Sequence, residues 1–362
     1  MEKELKYNFI IKNALSMGMR KIAIVFFMLS SVFTYSQTGG SNSFAFLNLP
    51  FSARSMALGG DLITIKDKDQ NLAILNPALL NESMHNSIST NQALLPAGIN
   101  YGMFNYARTF KNELTGMGHI RYVDYGKMVR RDEIGNDLGI FKPMDIILGA
   151  SVGKAFAPKW NVGMTFNLIY SQLEIYNSFG ASIDFGVSYY NEEKLFGAAF
   201  IAKNAGFQFN GYSESNRDPL PAELQASVSK KLRYAPFRFS LLAHHLNRFD
   251  LSYNDPSEVP TIDALTGDTI PPATAGFVEK IAQHFTYQIE ILLSDNFHIR
   301  TAFDYLKRQE MKLASRPGLS GFSFGVGMSF KRFTIDYGAL IQSRAGSQHM
   351  ISLSSNLDKW RK

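Results

Sequence analysis

The 362-residue chain has no cysteine. That excludes a disulfide framework, a thiolate metal site and a lipidated N-terminal cysteine. It has no block of Lys and Arg: the formal net charge is +6, but the basic residues are scattered, so no nucleic-acid patch stands out. Beyond residue 36 no run is apolar enough for a membrane-spanning helix. Catalytic signatures are missing too. No HExxH occurs, and Gly325-Val-Gly327 lacks the third glycine and following helix of a dinucleotide site. Ser227-Val-Ser-Lys230 spells S-x-x-K without an S-D-N or K-T-G partner, on a segment that reads as a strand. His244 and His245 are expected on opposite faces of one strand, unable to chelate one metal together without other ligands. No enzyme, cofactor or metal site is expected.

What is present begins with MRKIAIVFFMLSSVFTYSQ, where Arg20 and Lys21 precede an apolar run from Ile22 to Phe33. About 12 apolar residues fall short of the roughly 20 that a spanning helix needs. A secretory signal peptide over 1–36 fits, with cleavage near Ser36–Gln37 and a true start at Met17 or Met19.

The rest is rich in Phe (29), Tyr (16) and Gly (28), a mixture suited to strands and tight turns. Period-2 alternation runs through it. Phe322, Phe324, Val326, Met328 and Phe330 alternate with Ser323, Gly325, Gly327 and Ser329, and after Lys331–Arg332 the pattern restarts with Phe333, Ile335, Tyr337 and Ala339. Val162 to Tyr170, Ile183 to Tyr189, Phe285 to Ile291 and Ile299 to Tyr305 repeat it. Side chains alternate faces along a strand, so each segment has an apolar face and a small or polar one. A soluble sandwich alternates likewise, but its strands are typically five or six residues long and its wet face carries Lys and Glu. Here segments of about 10–13 residues approach what a tilted strand needs to cross a bilayer, and the polar faces hold Gly, Ser, Thr and Asn. The expected fold is all-β: a transmembrane β-barrel of about 14 antiparallel strands.

The strands are expected near 85–95, 98–110, 113–125, 145–157, 160–176, 179–190, 194–204, 222–232, 237–249, 284–295, 297–309, 319–331, 332–342 and 347–355. The long connections, 126–144, 205–221 and 250–283, all follow odd-numbered strands, which places them outside the cell if short turns are periplasmic. The longest holds DPSEVP, GDTIPP and AGFVEKIAQ, the last a short helix; such a loop is a binding element or a disordered cap.

Residues 37–84, before the barrel at 85–356, are irregular and glycine-marked, and a lumen this wide has room for a plug. A periplasmic tail is the other possibility. The run SARSMALGG, the acidic Asp67 and Asp69, and LNPALL resemble the N-terminal hatch of FadL-like outer-membrane barrels. With the preceding FAFLNLP, the segment is similar to the PorQ family of the type IX secretion system in Bacteroidota. The resemblance implies a non-enzymatic component of the cell-surface attachment complex in the outer membrane, tethering a PorZ-like surface protein alongside PorU and PorV, which fix exported cargo to anionic lipopolysaccharide. Hatch residues carried over are Arg54, Gly59, Gly60, Asn76, Pro77 and Ala78. The tail 357–362 runs on past the last strand, with Trp360 as its aromatic. The other function weighed is FadL-like import of hydrophobic small molecules, which needs a kinked strand and a gap in the wall.

Asp184, Glu223, Arg238, Glu290, Arg300, Asp304 and Asp336 fall on the expected lumenal face, as a network holding the hatch or as solvated wall residues. Arg300 and Asp304 are expected to brace the hatch. On the same topology Phe324→Arg is expected to impair assembly and Gly325→Ser to be mild.

Overall fold

The computed structural model describes residues 42–360 except 96–97, 213–216, 253–260, 263–268, 271–274, 312–317 and 344–345. The expected signal segment, residues 37–41 of the expected hatch and the DPSEVP stretch lie outside the described residues.

Fourteen strands close into one antiparallel barrel. In chain order they are β1 (Ser87–Leu94), β2 (Asn100–Thr109), β3 (Thr115–Asp124), β4 (Met144–Ala157), β5 (Trp160–Leu173), β6 (Tyr176–Asn191) and β7 (Phe196–Asn210). Then follow β8 (Glu223–Lys231), β9 (Phe237–Ala243), β10 (Phe285–Leu292), β11 (Phe297–Asp304), β12 (Phe322–Ser329), β13 (Phe333–Ser343) and β14 (Gly346–Asn356). Each strand pairs with its sequence neighbours, and β1 pairs with β14 along its whole length to seal the wall. Closure leaves no unpaired edge in lipid, where an unsatisfied backbone group costs several kcal/mol. Among the described residues no helix is long and apolar enough to cross a membrane.

The pleat sorts the side chains. Phe104, Ile120, Leu148, Phe166, Phe200 and Phe324 stand exposed on the outer wall, while Asn105, Ser151, Asn167, Gln225 and Ser323 are buried within. Aromatic residues gather near the turns after β4 and β12: Phe156, Trp160 and Tyr189 form one cluster, Phe330 and Phe333 another. Such belts suit a membrane–water boundary, where amphipathic rings are favoured.

Connections after even-numbered strands are short (110–114, 158–159, 192–195, 232–236, 293–296, 330–332), and the long ones (125–143, 211–222, 244–284 and 305–321) follow odd-numbered strands. The first long one carries a hairpin, Met128–Arg131 against Asp137–Phe141, that the sequence pattern does not reveal. Two strands stop earlier than alternation suggests. β9 ends at Ala243 rather than 249, because His245 adopts a left-handed φ of 54° and turns the chain away. β11 ends at Asp304, whose carboxylate accepts from Lys307 N (3.0 Å) and starts the helix Tyr305–Met311. The expected helix in AGFVEKIAQ occupies Phe277–Ala282.

Residues 42–84 fill the lumen as short turns: Ala45–Asn48, the helix Ala53–Ala57, Gln70–Ile74, Pro77–Leu79 and Glu82–Met84. They are among the most buried in the protein. Met56, Leu58, Leu62, Ile63, Leu72 and Leu79 are fully enclosed, and Leu62, Ile63, Ile65 and Leu72 pack against Ile201 and Leu242 of the wall. The hatch runs the height of the barrel. Ser43 N donates to Pro219 O in the long connection after β7 (3.0 Å), whereas Asn86, at the entry to β1, meets Leu357 beyond β14 (2.8 Å).

Candidate functional site: the hatch and its seat

A hatch can be seated only if the wall makes room and supplies partners. Room comes from glycines brought into line by register. Gly153, Gly163 and Gly186 are direct cross-strand partners on β4, β5 and β6. A Cβ at these positions would lie 2.5 Å from Pro77 O, 2.2 Å from Pro77 C and 2.0 Å from Asn76 Oδ1 respectively. The Asn-Pro-Ala turn therefore sits in a trough with no side chains. Asn76 holds the turn itself, accepting from Ala78 N (3.0 Å) and donating to Ile63 O (2.8 Å), as its short amide suits it to do. Ser188 Oγ on β6 donates to Ala78 O (3.1 Å).

A second glycine pair, Gly325 and Gly338 on β12 and β13, seats the helix Ala53–Ala57. Cβ atoms there would stand 2.4 Å from Ala57 Cβ and 2.1 Å from Ala53 O. This corrects the expectation that Gly325→Ser is mild. The small face does not line empty space; it touches the hatch backbone. Gly59 (φ 88°) and Gly60 (φ 120°) close that helix in a conformation disfavoured for residues with a Cβ.

Partners come from buried charge. Arg238, Glu290 and Arg300 are cross-strand neighbours on β9, β10 and β11, a ladder of alternating sign across the inner wall. Glu290 accepts from Arg238 (2.7 Å), Arg300 (3.2 Å) and, from the hatch, Arg54 (3.0 and 3.3 Å). Arg54 also pairs with Asp67 (2.7 Å) and Asp69 (3.4 Å) of the hatch, and Arg300 pairs with Asp336. Arg54 is 5% exposed and Glu290 2%, so each depends on the other for compensation. Burial pushes the Asp69 carboxyl up to about 6 against the pull of Arg54, and the neighbouring Asp67 adds to the rise.

The other lumenal candidates divide by role. Among the described residues, Arg300 and Asp304 form no hydrogen bond or ion pair with the hatch themselves. Arg300 holds Glu290, which binds Arg54; Asp304 holds Lys307 (3.1 Å), whose ammonium donates to Gly59 O. Asp184 accepts from Asn204 N (2.6 Å) and Asn167 Nδ2 (3.2 Å), and Asn204 in turn donates to Asn48 Oδ1 of the hatch (2.9 Å). Glu223 lies 3.9 Å from Lys203.

His244 and His245 correct a further expectation. They lie beyond the end of β9, so strict alternation no longer governs them, and their Nδ1 atoms come within 2.8 Å.

Several hatch contacts have no motif to announce them. Lys203 pairs with Asp61 (3.1 Å), which also accepts from Gln225 (2.7 Å). Asn71 Oδ1 accepts from Ser89, Asn91 (3.0 Å) and Asn105 (2.9 Å). Gln288 donates to Leu58 O (2.7 Å) and to Asp61 O. A lysine on the small face of an otherwise apolar-and-glycine strand was the one available signal for Lys203.

Among the described residues, two open spaces stand out. A vestibule of about 880 Å³ lies below the hatch, lined by Arg54, Asp69, Arg238, Arg300, Asp336 and residues of the short turns. A notch of about 480 Å³ dents the outer wall where Gly118 pairs with Ala150, between Phe104, Ile120, Leu148, Phe166 and Leu168. β3 beside it is unkinked and paired without interruption on both sides.

No family model matches the chain, and no curated protein matches it. Solved structures of similar layout do exist. The Pseudomonas putida toluene transporter TodX is 11% identical, with a TM-score of 0.48, over 85% of this chain and 96% of that one. The CymD monoaromatic hydrocarbon channel is 13% identical (TM-score 0.47; 86% and 97% covered), and a Pseudomonas aeruginosa FadL homologue 10% identical (0.44; 84% and 98%). At these values the likeness is one of barrel layout alone. Fold and site together define the class: a 14-stranded outer-membrane β-barrel closed from within by its own N-terminal hatch.

Proposed function

We propose that this barrel holds a partner at the cell surface, as a non-enzymatic member of a type IX secretion attachment complex whose outer loops anchor a PorZ-like protein, with PorU and PorV nearby. The observation that carries the reading is the way the hatch is fixed. Glycine troughs, the Arg54–Glu290 pair, the Lys203–Asp61 pair and the Asn71 amide tie it to the wall on opposite sides. Conduction would require breaking several buried pairs together, at about 3–5 kcal/mol for each one left uncompensated. Meanwhile the outer connections display apolar side chains to water: Ile134, Leu138, Ile140, Phe277 and Val278 are all more than half exposed. Such groups are suited to a protein interface. The type IX assignment rests on the FLNLP, SARSMALGG and LNPALL wording of the hatch.

Import of hydrophobic small molecules is the second reading, favoured by the apolar notch beside β3, where a lateral exit to the membrane would open. TodX is a toluene transporter and CymD a monoaromatic hydrocarbon channel. One experiment separates the two. The tagged protein is purified from native outer membranes in mild detergent, and both co-purifying proteins and extracted lipids are identified by mass spectrometry. A stoichiometric surface protein, lost when Ile134 and Ile140 are changed to Asp, supports anchoring. A bare barrel carrying an apolar ligand, whose yield falls when the notch is filled by Gly118→Phe, overturns it in favour of import.

A further inference from the structure

Glu223 opens β8, and His244 and His245 follow β9, so all three lie at the outer end of the inner wall where the connections 211–222 and 244–284 are rooted. One ligand atom of each lies within 4.8 Å of the others. The two Nδ1 atoms are 2.8 Å apart, and His245 Nδ1 is 3.4 Å from a Glu223 oxygen. Glu223 and His244 are 5% exposed. Neutral imidazoles facing each other through nitrogen need something electropositive between them, a proton or a metal ion. Nε2, on the other side of the His244 ring, is buried without a hydrogen-bond partner among the described residues.

The local charge points the same way. Lys203 serves both Asp61 (3.1 Å) and Glu223 (3.9 Å), and Lys307 serves Asp304 (3.1 Å). Three carboxylates thus share two ammonium groups, which leaves an excess negative charge beside the imidazole pair.

We propose that Glu223, His244 and His245 bind a divalent ion of the zinc type. Two imidazoles and a carboxylate form a donor set matched to such borderline ions. Bonds of about 2.0–2.1 Å in tetrahedral geometry would separate the two nitrogens by roughly 3.3 Å, so a small rotation of the rings admits the ion. Bound there, it ties the first residues of the connection 244–284 to the start of β8 and fixes the roots of two outer loops together. The site is independent of whether the loops dock a protein or admit a ligand.

The test uses full-length protein in detergent, stripped with chelator and titrated with Zn²⁺ by calorimetry, with retained metal counted by elemental analysis after gel filtration. One equivalent is expected, lost in His244→Gln, His245→Gln and Glu223→Gln and kept in His349→Ala, which alters an exposed histidine on β14. Co²⁺ added in place of Zn²⁺ should give ligand-field bands that vanish in the same variants, and heat-modifiability on gels confirms that each variant is a folded barrel. Absence of stoichiometric metal in the wild type, or its persistence in folded His244→Gln and His245→Gln proteins, overturns the proposal.

Discussion

Gly163→Ala is expected to unseat the hatch while leaving the barrel closed. The added methyl would stand 2.2 Å from Pro77 C and 2.4 Å from Pro77 O, where ordinary contact begins near 3.4 Å. The turn must therefore retreat by about 1.2 Å, the difference between those figures. It has little freedom to do so. The clashing atoms are backbone, Asn76 locks the turn, and Gly153 and Gly186 confine it on both sides. Overpacking of this kind costs about 1–3 kcal/mol, and at about 2 kcal/mol the undocked population rises roughly 30-fold. Planar-bilayer conductance reads this directly, because a lumen of 14 strands freed of its plug is wide enough for ions. Trypsin cleavage at Arg54, Lys66 and Lys68 reads it a second way. Gly118→Ala is the internal control: it faces outward with nothing within 4 Å of the new methyl. The reasoning fails if Gly163→Ala is as silent and as protease-resistant as the wild type, or if Gly118→Ala opens the barrel equally.

Glu290→Gln leaves Arg238 without its carboxylate and takes from Arg54 its contact with the wall; a loss of about 3–5 kcal/mol is expected, seen as a lower Tm and a cleavable hatch. Asp69 sets a pH dependence. Its carboxyl ionises near 6 in the folded hatch against about 3.9 when unfolded, so its contribution to stability is fully present below about 4 and lost as pH rises through 6. The hatch should resist trypsin better at pH 5.5 than at pH 7.5, and Asp69→Asn should remove the difference; equal pH dependence in both proteins would refute this. Phe324→Arg, on the lipid-facing wall, should cost roughly 2–4 kcal/mol near the midplane and lower the yield of heat-modifiable barrel. Gly325→Ser should assemble a barrel yet release the helix Ala53–Ala57, which separates the two faces of one strand.

The wall was legible in the sequence because a barrel strand repeats one simple rule. Alternation at Phe322–Phe330 states which side meets lipid, and the parity of connection lengths checks the strand count. The lumen was less legible because small and polar side chains are equally suited to water and to a plug. Gly153, Gly163 and Gly186 are unremarkable where they stand in the chain and become a trough only once register aligns them. Arg238, Glu290 and Arg300 are likewise separated in sequence, and their ladder exists only across strands. Alternation also misled where it was carried past a strand's end, as at His244 and His245, because a single left-handed residue breaks the two-residue period.

The path of the hatch has a consequence for biogenesis. Ala53 N bonds Ser352 Oγ on the final strand (2.8 Å), Arg54 binds Glu290, and Asn71 binds Asn105 on the second strand. The hatch's binding partners are therefore incomplete until the last strand has been made. Once β1 has zipped to β14, however, a segment running from the long connections to the short turns cannot be threaded into the finished cylinder. The hatch must therefore already lie in the lumen when the last seam seals, so a weakened seat such as that of Gly163→Ala loosens it inside a wall that has already closed.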